Sequence, residues 1–218
     1  MKKTILIGLG IIVAVAGFLF LTRPSEEAAG TPSNHQYSQG SSGVIFMEYG
    51  DFQCPGCKAY YPVIKQVKEI YKDKVTFQFR NLPLESIHPN ARAAARAAEA
   101  AHLQGKFWEM HDALFESQDA WKDTKDPVTI FTGYAQQLQL DVTRFATDYK
   151  SSTVNAVINA DIKEFEKTGE EMSTPTFFID GKRIDDLTNS PDYFQKLLDE
   201  AIAAKTPPPQ DPLPESSN

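Results

Sequence analysis

Cys54 and Cys57 are the only cysteines in the 218 residues, and they lie in the segment FQCPGCK. A pair at this spacing can form half of a zinc site, a structural disulfide or a redox-active dithiol. Zinc would require two further Cys or His ligands, and the four histidines show no suitable spacing. A structural disulfide would close a very short loop and would restrict the unfolded chain little. The spacing therefore favours a redox-active dithiol.

The residues that follow Cys54 predict a turn from a strand into a helix. Pro55 suits the first helical position, and apolar residues recur at helical spacing from there to Tyr71. A thiolate at Cys54 would face unpaired backbone N–H groups and the positive end of the helix dipole, which lower its pKa. Cys57, one turn later, would lie on the same face and could resolve a mixed disulfide.

The elements that must position this pair alternate between strands and helices. Strands are predicted over 44–49 and 75–80, and their β-α-β order indicates a parallel pair. The pattern is then helical over an insertion at about 87–169. A β-hairpin with its turn at Asp180–Gly181 follows, and a last helix is predicted over 192–204. This order is that of an α/β fold with inserted helices.

The two ends of the chain differ from this central body. Residues 1–23 contain an uncharged run, Thr4–Thr22, whose 19 residues would span about 28 Å as a helix, close to the thickness of a bilayer core. Residues 24–43 predict a flexible linker, and 206–218 predict a disordered proline-rich tail. The folded domain is therefore expected over 44–205.

The uncharged run also predicts where the domain is located. It is longer than the core of a signal peptide and ends in bulky residues, which favours an uncleaved single-pass anchor in the cell membrane. The alternative is a cleaved signal peptide and a secreted product. Lys2 and Lys3 precede the run and would keep the N-terminus in the cytoplasm. The cysteines would then lie outside the cytoplasm, where disulfides persist.

Charge and histidine spacing argue against two classes of function. The formal net charge is −7, and no cluster of Lys or Arg offers a face for phosphates, so nucleic acid is not expected as a partner. Glu99, His102 and His111 lack a third ligand at suitable spacing, so we predict a solvated helix face there and no metal site.

Several motifs together resemble the thioredoxin-like fold. They are a strand that contains Glu48, then Phe52, the Cys-Pro-Gly-Cys segment 54–57, and Thr174-Pro175 before a hairpin strand. The helical insertion and the Cys-Pro-X-Cys form resemble the DsbA family of exported thiol–disulfide oxidoreductases, and above all its membrane-tethered members. The resemblance covers about 37–205. It implies a thioredoxin-like α/β fold with an inserted helical domain, protein thiol–disulfide oxidoreductase activity and no organic cofactor.

The resemblance also implies roles for individual residues. Cys54 would be the exposed nucleophile and Cys57 the buried resolving thiol. Pro175 would be a cis-proline packed against the disulfide, and Thr174 would offer its backbone to a substrate peptide. Glu48, six residues before Cys54, would be a buried acid that relays the proton of Cys57. The strand pattern by itself also allows Glu48 to face solvent.

Pro55 and Gly56, between the cysteines, would border the bound substrate and tune the redox potential. The best-known member of the family has a histidine where this chain has Gly56, so the direction of electron flow stays open. We expect a monomeric oxidase that acts on exported polypeptides with free thiols and is reoxidised by a quinone-linked oxidase in the membrane. The alternatives are a reductase or isomerase of exported proteins, and a non-catalytic binder of unfolded exported chains.

Overall fold

The computed structural model describes residues 30–206, which form a five-stranded sheet flanked by helices. The strands are β1 (His35–Gln36), β2 (Val44–Gly50), β3 (Val75–Asn81), β4 (Thr176–Ile179) and β5 (Lys182–Arg183). The helices are α1 (Pro55–Tyr71), α2 (Ala91–His102), α3 (Phe107–Glu116), α4 (Gln118–Trp121), α5 (Pro127–Gln137), α6 (Val142–Tyr149), α7 (Ser152–Glu166) and α8 (Pro191–Lys205). The predicted α/β fold with inserted helices is confirmed.

The sheet has the strand order β1-β3-β2-β4-β5. β2 and β3 are parallel and are joined through α1, whereas β1, β4 and β5 pair antiparallel with their neighbours. Phe46 of β2 pairs with Phe77 on one side and with Ile179 on the other. The segment that carries the cysteines therefore leaves the sheet from its central strand.

One face of the sheet packs against α1 and α8. Because side chains alternate along a strand, Phe46 and Glu48 both point to this face. The ring of Phe46 lies 5.4 Å from Phe77 and 5.5 Å from Phe177, centroid to centroid. Phe194 of α8 packs edge-on against Phe46 at 5.9 Å. Glu48 is thus a carboxyl group at the end of this hydrophobic core that lies towards the cysteines.

The helices α2 to α7 form the insertion between β3 and β4. The alanines of α2 are mostly buried, and their small side chains let α3, α5, α6 and α7 approach closely. Trp121, Phe131 and Phe145 are fully buried in this part of the core. The alanine-rich helix begins at Ala91, within the predicted helical insertion, and the short helix α4 is not evident from the sequence.

The sequence predicts a flexible linker over 24–43, and this is wrong for residues 30–43. β1 pairs with β3, and Ser33 donates two hydrogen bonds to the buried carboxylate of Asp161, at 2.6 Å from N and 2.8 Å from Oγ. The chain passes so close to α7 that a Cβ on Gly30 would lie 2.3 Å from the carbonyl oxygen of Ala156. Small polar residues indicate a flexible segment only where they make no contacts with buried groups. Residues 30–43 do make such contacts.

Residues 1–29 and 207–218 lie outside the described residues. The anchor over Thr4–Thr22 and the disordered tail therefore stay predictions. Among residues 30–206, no helix is both long and apolar enough to cross a membrane.

Candidate active site

Cys54 occupies the N-cap of α1, directly after the turn that follows β2. Its backbone is extended, with φ −65° and ψ 125°, and Pro55 takes the predicted first helical position. The unpaired N–H groups of the first helical turn therefore lie near its sulfur. Only 7% of Cys54 is accessible to solvent, so the residue predicted to be exposed is largely covered by its neighbours.

Cys57 lies one helical turn after Cys54 and is completely buried. Both residues carry free thiols. The Cys57 sulfur accepts a hydrogen bond from the backbone N–H of Asp51 at 3.4 Å. The predicted burial of Cys57 is therefore found, whereas the predicted exposure of Cys54 is not, since both thiols are buried.

The two sulfurs have opposite pKa displacements. A hydrogen bond from the Cys57 thiol is the main reason that the pKa of Cys54 is lowered to about 5, and the Thr174 side chain and the backbone N–H of Gly56 act in the same direction, against the effect of burial. Burial first, and then the neighbouring Cys54 and Glu48, raise the pKa of Cys57 well above its ordinary value. At neutral pH, Cys54 is a thiolate and Cys57 a thiol.

Glu48 lies buried in the region beneath Cys57, with 8% of its surface exposed, so the solvent-facing alternative does not hold. Burial is the main cause that raises its pKa to about 7; the charge of Cys54 adds to this, and Lys68 opposes it. A carboxyl group that titrates near neutral pH can both donate and accept a proton there. Glu48 is therefore suited to exchange a proton with Cys57.

Lys68 brings a buried positive charge to the same region from α1. Its Nζ lies 4.1 Å from the ring centroid of Trp108 and 4.5 Å from that of Tyr37, a cation–π arrangement. Burial lowers the pKa of Lys68 to about 8, with the nearby carboxylates Asp112 and Glu48 acting against this. The lysine is thus still charged at neutral pH and favours the ionised form of Glu48.

Thr174 and Pro175 border the other side of Cys54. The peptide bond between them is cis, as the resemblance implies. Sγ of Cys54 lies 3.3 Å from the Thr174 carbonyl oxygen, to which Cys54 can donate a hydrogen bond only when it is protonated. A Cβ on Gly56 would lie 3.3 Å from Cδ of Pro175 and 3.5 Å from Sγ of Cys54. Cys54, Gly56, Thr174 and Pro175 therefore meet at one point of the surface.

An open cavity of about 830 Å³ adjoins the start of α1 on the side of the inserted helices. Pro55 and Lys58 form one wall, and the opposite wall includes His88 and Lys122. Gln53 joins the two walls, because its side chain accepts a hydrogen bond from the Asn90 N–H at 2.6 Å and donates one to the Lys122 carbonyl at 2.7 Å. The cavity is lined by the residues on either side of Cys54, Gln53 and Pro55, but not by Cys54 itself.

The solvated helix face predicted for Glu99 and His111 is wrong, since both side chains are buried. Glu99 Oε1 lies 2.7 Å from Nε2 of His35, and His111 Nδ1 lies 2.9 Å from Oδ1 of Asp112. Burial lowers the pKa of His111 to about 4. The described residues contain no group of three or more His, Cys, Asp or Glu side chains that could hold a metal ion.

Sequence reasoning did not identify Asp51, His88 or Lys68. Asp51 and Lys68 are charged residues within segments whose patterns predict burial. Charged side chains are seldom buried without a partner, so their positions in the sequence could have marked them as candidates for the site. His88 gives no such signal, because the residue that it contacts, Asp51, is 37 positions away. Its role becomes visible only when the turn after β2 and the segment before α2 meet in space.

The profile of a protein family described as thioredoxin matches residues 32–200. The chain belongs to this family. Its inserted helices and its Cys54/Cys57 pair at the start of α1 make the folded body a DsbA-like thiol–disulfide oxidoreductase domain.

Solved structures show the same thioredoxin-family fold with inserted helices. Oxidised BdbD from Bacillus subtilis has a TM-score of 0.68 at 21% identity, over 80% of this chain and 97% of that chain. The α-DsbA1 protein of Wolbachia pipientis also has a TM-score of 0.68, at 20% identity over 83% and 96%. DsbA2 of Pseudomonas aeruginosa is 27% identical, over 71% and 86%, with a TM-score of 0.54.

Curated relatives of this thioredoxin-family chain include longer proteins. A Na⁺/H⁺ antiporter NhaA 1 of Salinispora arenicola is 36% identical over 150 residues, which are 69% of this chain and 22% of that protein. Another, from Mycolicibacterium vanbaalenii, is 36% identical over 169 residues, which are 76% and 25%. The chain therefore spans about a quarter of the length of these relatives.

Proposed function

We propose that this protein is an extracytoplasmic thiol–disulfide oxidase that introduces disulfide bonds into exported polypeptides. The observation that carries the proposal is the convergence of hydrogen bonds on Cys54, which lowers its pKa to about 5. A stabilised thiolate stabilises the reduced protein, and a protein whose reduced form is stabilised is a strong oxidant when its disulfide is formed.

The reaction begins when a substrate thiolate attacks Sγ of Cys54 in the oxidised protein. A bond forms between the substrate sulfur and Cys54, and the Cys54–Cys57 bond breaks with its electron pair on Cys57. Glu48, a buried acid with a pKa of about 7, supplies the proton that Cys57 takes up. A second substrate thiolate then attacks the mixed disulfide, so the substrate leaves oxidised and Cys54 leaves as a thiolate.

Gly56, Thr174 and Pro175 border Cys54 and would contact the substrate peptide, with Pro55 at the edge of the neighbouring cavity. The carbonyl oxygen of Thr174 lies 3.3 Å from Sγ of Cys54, so it is close enough to pair with the backbone of a chain bound to this sulfur. The substrates would be unfolded exported polypeptides with free thiols, since a folded surface rarely presents its cysteines to such a site.

The reduced pair must be reoxidised, and the proposed electron acceptor is a quinone-linked oxidase in the membrane. The hydrophobic run Thr4–Thr22 supports a membrane location, because it would hold the domain close to such a partner. The relatives named as Na⁺/H⁺ antiporters carry a similar domain in chains whose named activity requires a membrane, which agrees with this location.

The reduction potential of the full-length protein, equilibrated with glutathione at pH 7, tests the direction of electron flow. We expect a value near or above about −150 mV, in the range of oxidants of exported proteins. A value near about −250 mV or below would instead identify a reductase that needs an electron donor.

Substitution of the nucleophile separates catalysis from simple binding. Cys54→Ala should abolish oxidation of a reduced, unfolded model protein while leaving its binding intact. Cys57→Ala is the matched control: it keeps Cys54, which glutathione disulfide can convert to a mixed disulfide with release of reduced glutathione, but it cannot form the Cys54–Cys57 bond and should not oxidise the model protein by itself. Oxidation at the normal rate by Cys54→Ala would exclude the dithiol mechanism.

A further inference from the structure

Asp51 binds both cysteines through its backbone. It is buried in the turn between β2 and Cys54. Its carbonyl oxygen accepts a hydrogen bond from the Cys54 N–H at 3.1 Å, and its own N–H donates to Sγ of Cys57 at 3.4 Å. The position of this one residue therefore determines how Cys57 is hydrogen-bonded.

The carboxylate of Asp51 fixes that position with three hydrogen bonds. Oδ1 accepts from the Gln53 N–H at 2.7 Å, and Oδ2 accepts from the Leu84 N–H at 2.9 Å. Oδ2 also lies 2.7 Å from Nδ1 of His88. A buried carboxylate requires such partners, because burial without them is strongly unfavourable. Two of these three partners are backbone N–H groups, and His88 is the one that contacts the carboxylate through its side chain.

His88 connects the inserted helices to the active-site turn. It belongs to the segment between β3 and α2, where its N–H donates to Leu84 and its carbonyl accepts from Ala91. Its side chain is 15% exposed and lines the cavity beside Pro55. The ring therefore stands between the cavity and the carboxylate of Asp51.

We propose that Asp51 and His88 are positioning residues for thiol–disulfide exchange, and that their contact holds the turn so that the Asp51 N–H supports Cys57 as the leaving group. This inference deepens the proposed function and rests on it. It assigns a role in exchange to residues that lie outside the Cys-Pro-Gly-Cys segment.

The reaction explains why this hydrogen bond matters. When the substrate thiolate attacks Cys54, negative charge develops on Sγ of Cys57, and a donor already aimed at that atom stabilises the charge. The donor is a backbone amide, so a side chain can control it only through the shape of the turn. Without His88 the Asp51 carboxylate loses one of its three donors, and the turn that it anchors becomes less constrained.

The test measures how fast glutathione reduces the oxidised full-length protein at pH 7, together with the glutathione equilibrium constant. His88→Leu should slow the reduction about tenfold and shift the equilibrium constant in the direction of a weaker oxidant. His88→Gln keeps an N–H donor that can reach the carboxylate and should restore most of the rate. Asp51→Asn, which keeps the volume of the side chain, should behave like His88→Leu.

A matched control exists in the same chain. His35 and Glu99 form a second buried histidine–carboxylate pair, also at 2.7 Å, whose histidine stacks on Phe107. His35→Leu should lower the melting temperature and leave the rate and the equilibrium constant unchanged. If His88 contributed only to stability, His88→Leu would also lower the melting temperature and leave the rate and the equilibrium constant unchanged.

The outcomes separate this inference from the proposed function. Rates and equilibrium constants for His88→Leu and Asp51→Asn that equal those of the unsubstituted protein would overturn the inference. A low reduction potential of the unsubstituted protein would overturn the oxidase direction alone, since the rate comparison still decides the role of His88. A complete lack of exchange in the unsubstituted protein would overturn both.

Discussion

Gly56 faces Pro175 so closely that a Cβ on Gly56 would lie 3.3 Å from Cδ of the proline ring. The same Cβ would lie 3.5 Å from Sγ of Cys54 and from the carbonyl oxygen of Thr174. A contact of this length is accommodated if the neighbouring ring moves by a few tenths of an ångström. A side chain at position 56 would therefore border the nucleophile directly.

Gly56→His should make the protein a stronger oxidant. A histidine at this position would place a hydrogen-bond donor, and in its protonated form a positive charge, next to the Cys54 thiolate. We expect the pKa of Cys54 to fall and the glutathione equilibrium constant to change about tenfold, which is about 30 mV for a two-electron couple.

Gly56→Ala is the control for this substitution. It introduces the same Cβ contact with Pro175 and no donor, so its potential should stay close to that of the unsubstituted protein. If the alanine variant shifts the potential as much as the histidine variant, the packing against Pro175, and not the donor, tunes the thiolate.

The thiolate itself should depend on Cys57. The hydrogen bond from the Cys57 thiol is the largest cause of the low pKa of Cys54, so Cys57→Ala should raise that pKa from about 5 towards the ordinary range of a thiol. Cys57→Ser keeps an O–H donor and should raise it less. Absorbance of the thiolate at about 240 nm, followed against pH, measures both; equal pKa values in the two variants would contradict the assignment.

Glu48→Gln should increase the stability of the fold at alkaline pH. The pKa of Glu48 is raised from 4.5 to about 7, so the folded state holds a proton that the unfolded state has lost, and stability falls as the pH rises through this interval. Glutamine carries no charge and avoids this loss. We expect a gain of about 2 kcal/mol in the free energy of unfolding at pH 8, and little change at pH 4.

The same substitution should slow the reduction of the oxidised protein, because Cys57 loses its proton donor. We expect a loss of about a hundredfold at pH 7. Lys68→Met is the complementary variant: it keeps the acid but removes the charge that favours its ionised form, so the decline in stability should extend to a higher pH and become larger. A Glu48→Gln protein that is more stable but reacts at the normal rate would exclude the proton-relay role.

Local patterns predict much of this fold from the sequence. The apolar run of β2 and the helical spacing after Pro55 are properties of neighbouring residues, and the predicted extents agree closely with β2 (Val44–Gly50) and α1 (Pro55–Tyr71). The dithiol also follows from spacing alone, because only two cysteines exist. The cis bond before Pro175 does not follow from any pattern and was expected only from the resemblance to a known family.

Contacts between distant residues account for what the sequence did not predict. Ser33 meets Asp161 across 128 positions, and Asp51 meets His88 across 37. Nothing in the composition of residues 30–43 distinguishes a docked segment from a linker. The burial of Glu99 likewise depends on His35, which the sequence places in that predicted linker.

The docked segment should contribute measurably to stability, which separates it from a linker. Ser33→Ala removes the hydrogen bond from Oγ to the buried Asp161 carboxylate, and hydrogen bonds to charged groups contribute about 1.5–3 kcal/mol. We expect the free energy of unfolding of the full-length protein, measured in urea, to fall by about 2 kcal/mol, with an unchanged reduction potential.

Ser41→Ala is the control for this prediction. The Ser41 hydroxyl donates to the Asp73 carbonyl at an exposed site, so its loss should cost less than about 0.5 kcal/mol. Equal stability of the two variants would mean that the hydrogen bond from Ser33 Oγ to Asp161 does not help to hold this segment on the domain.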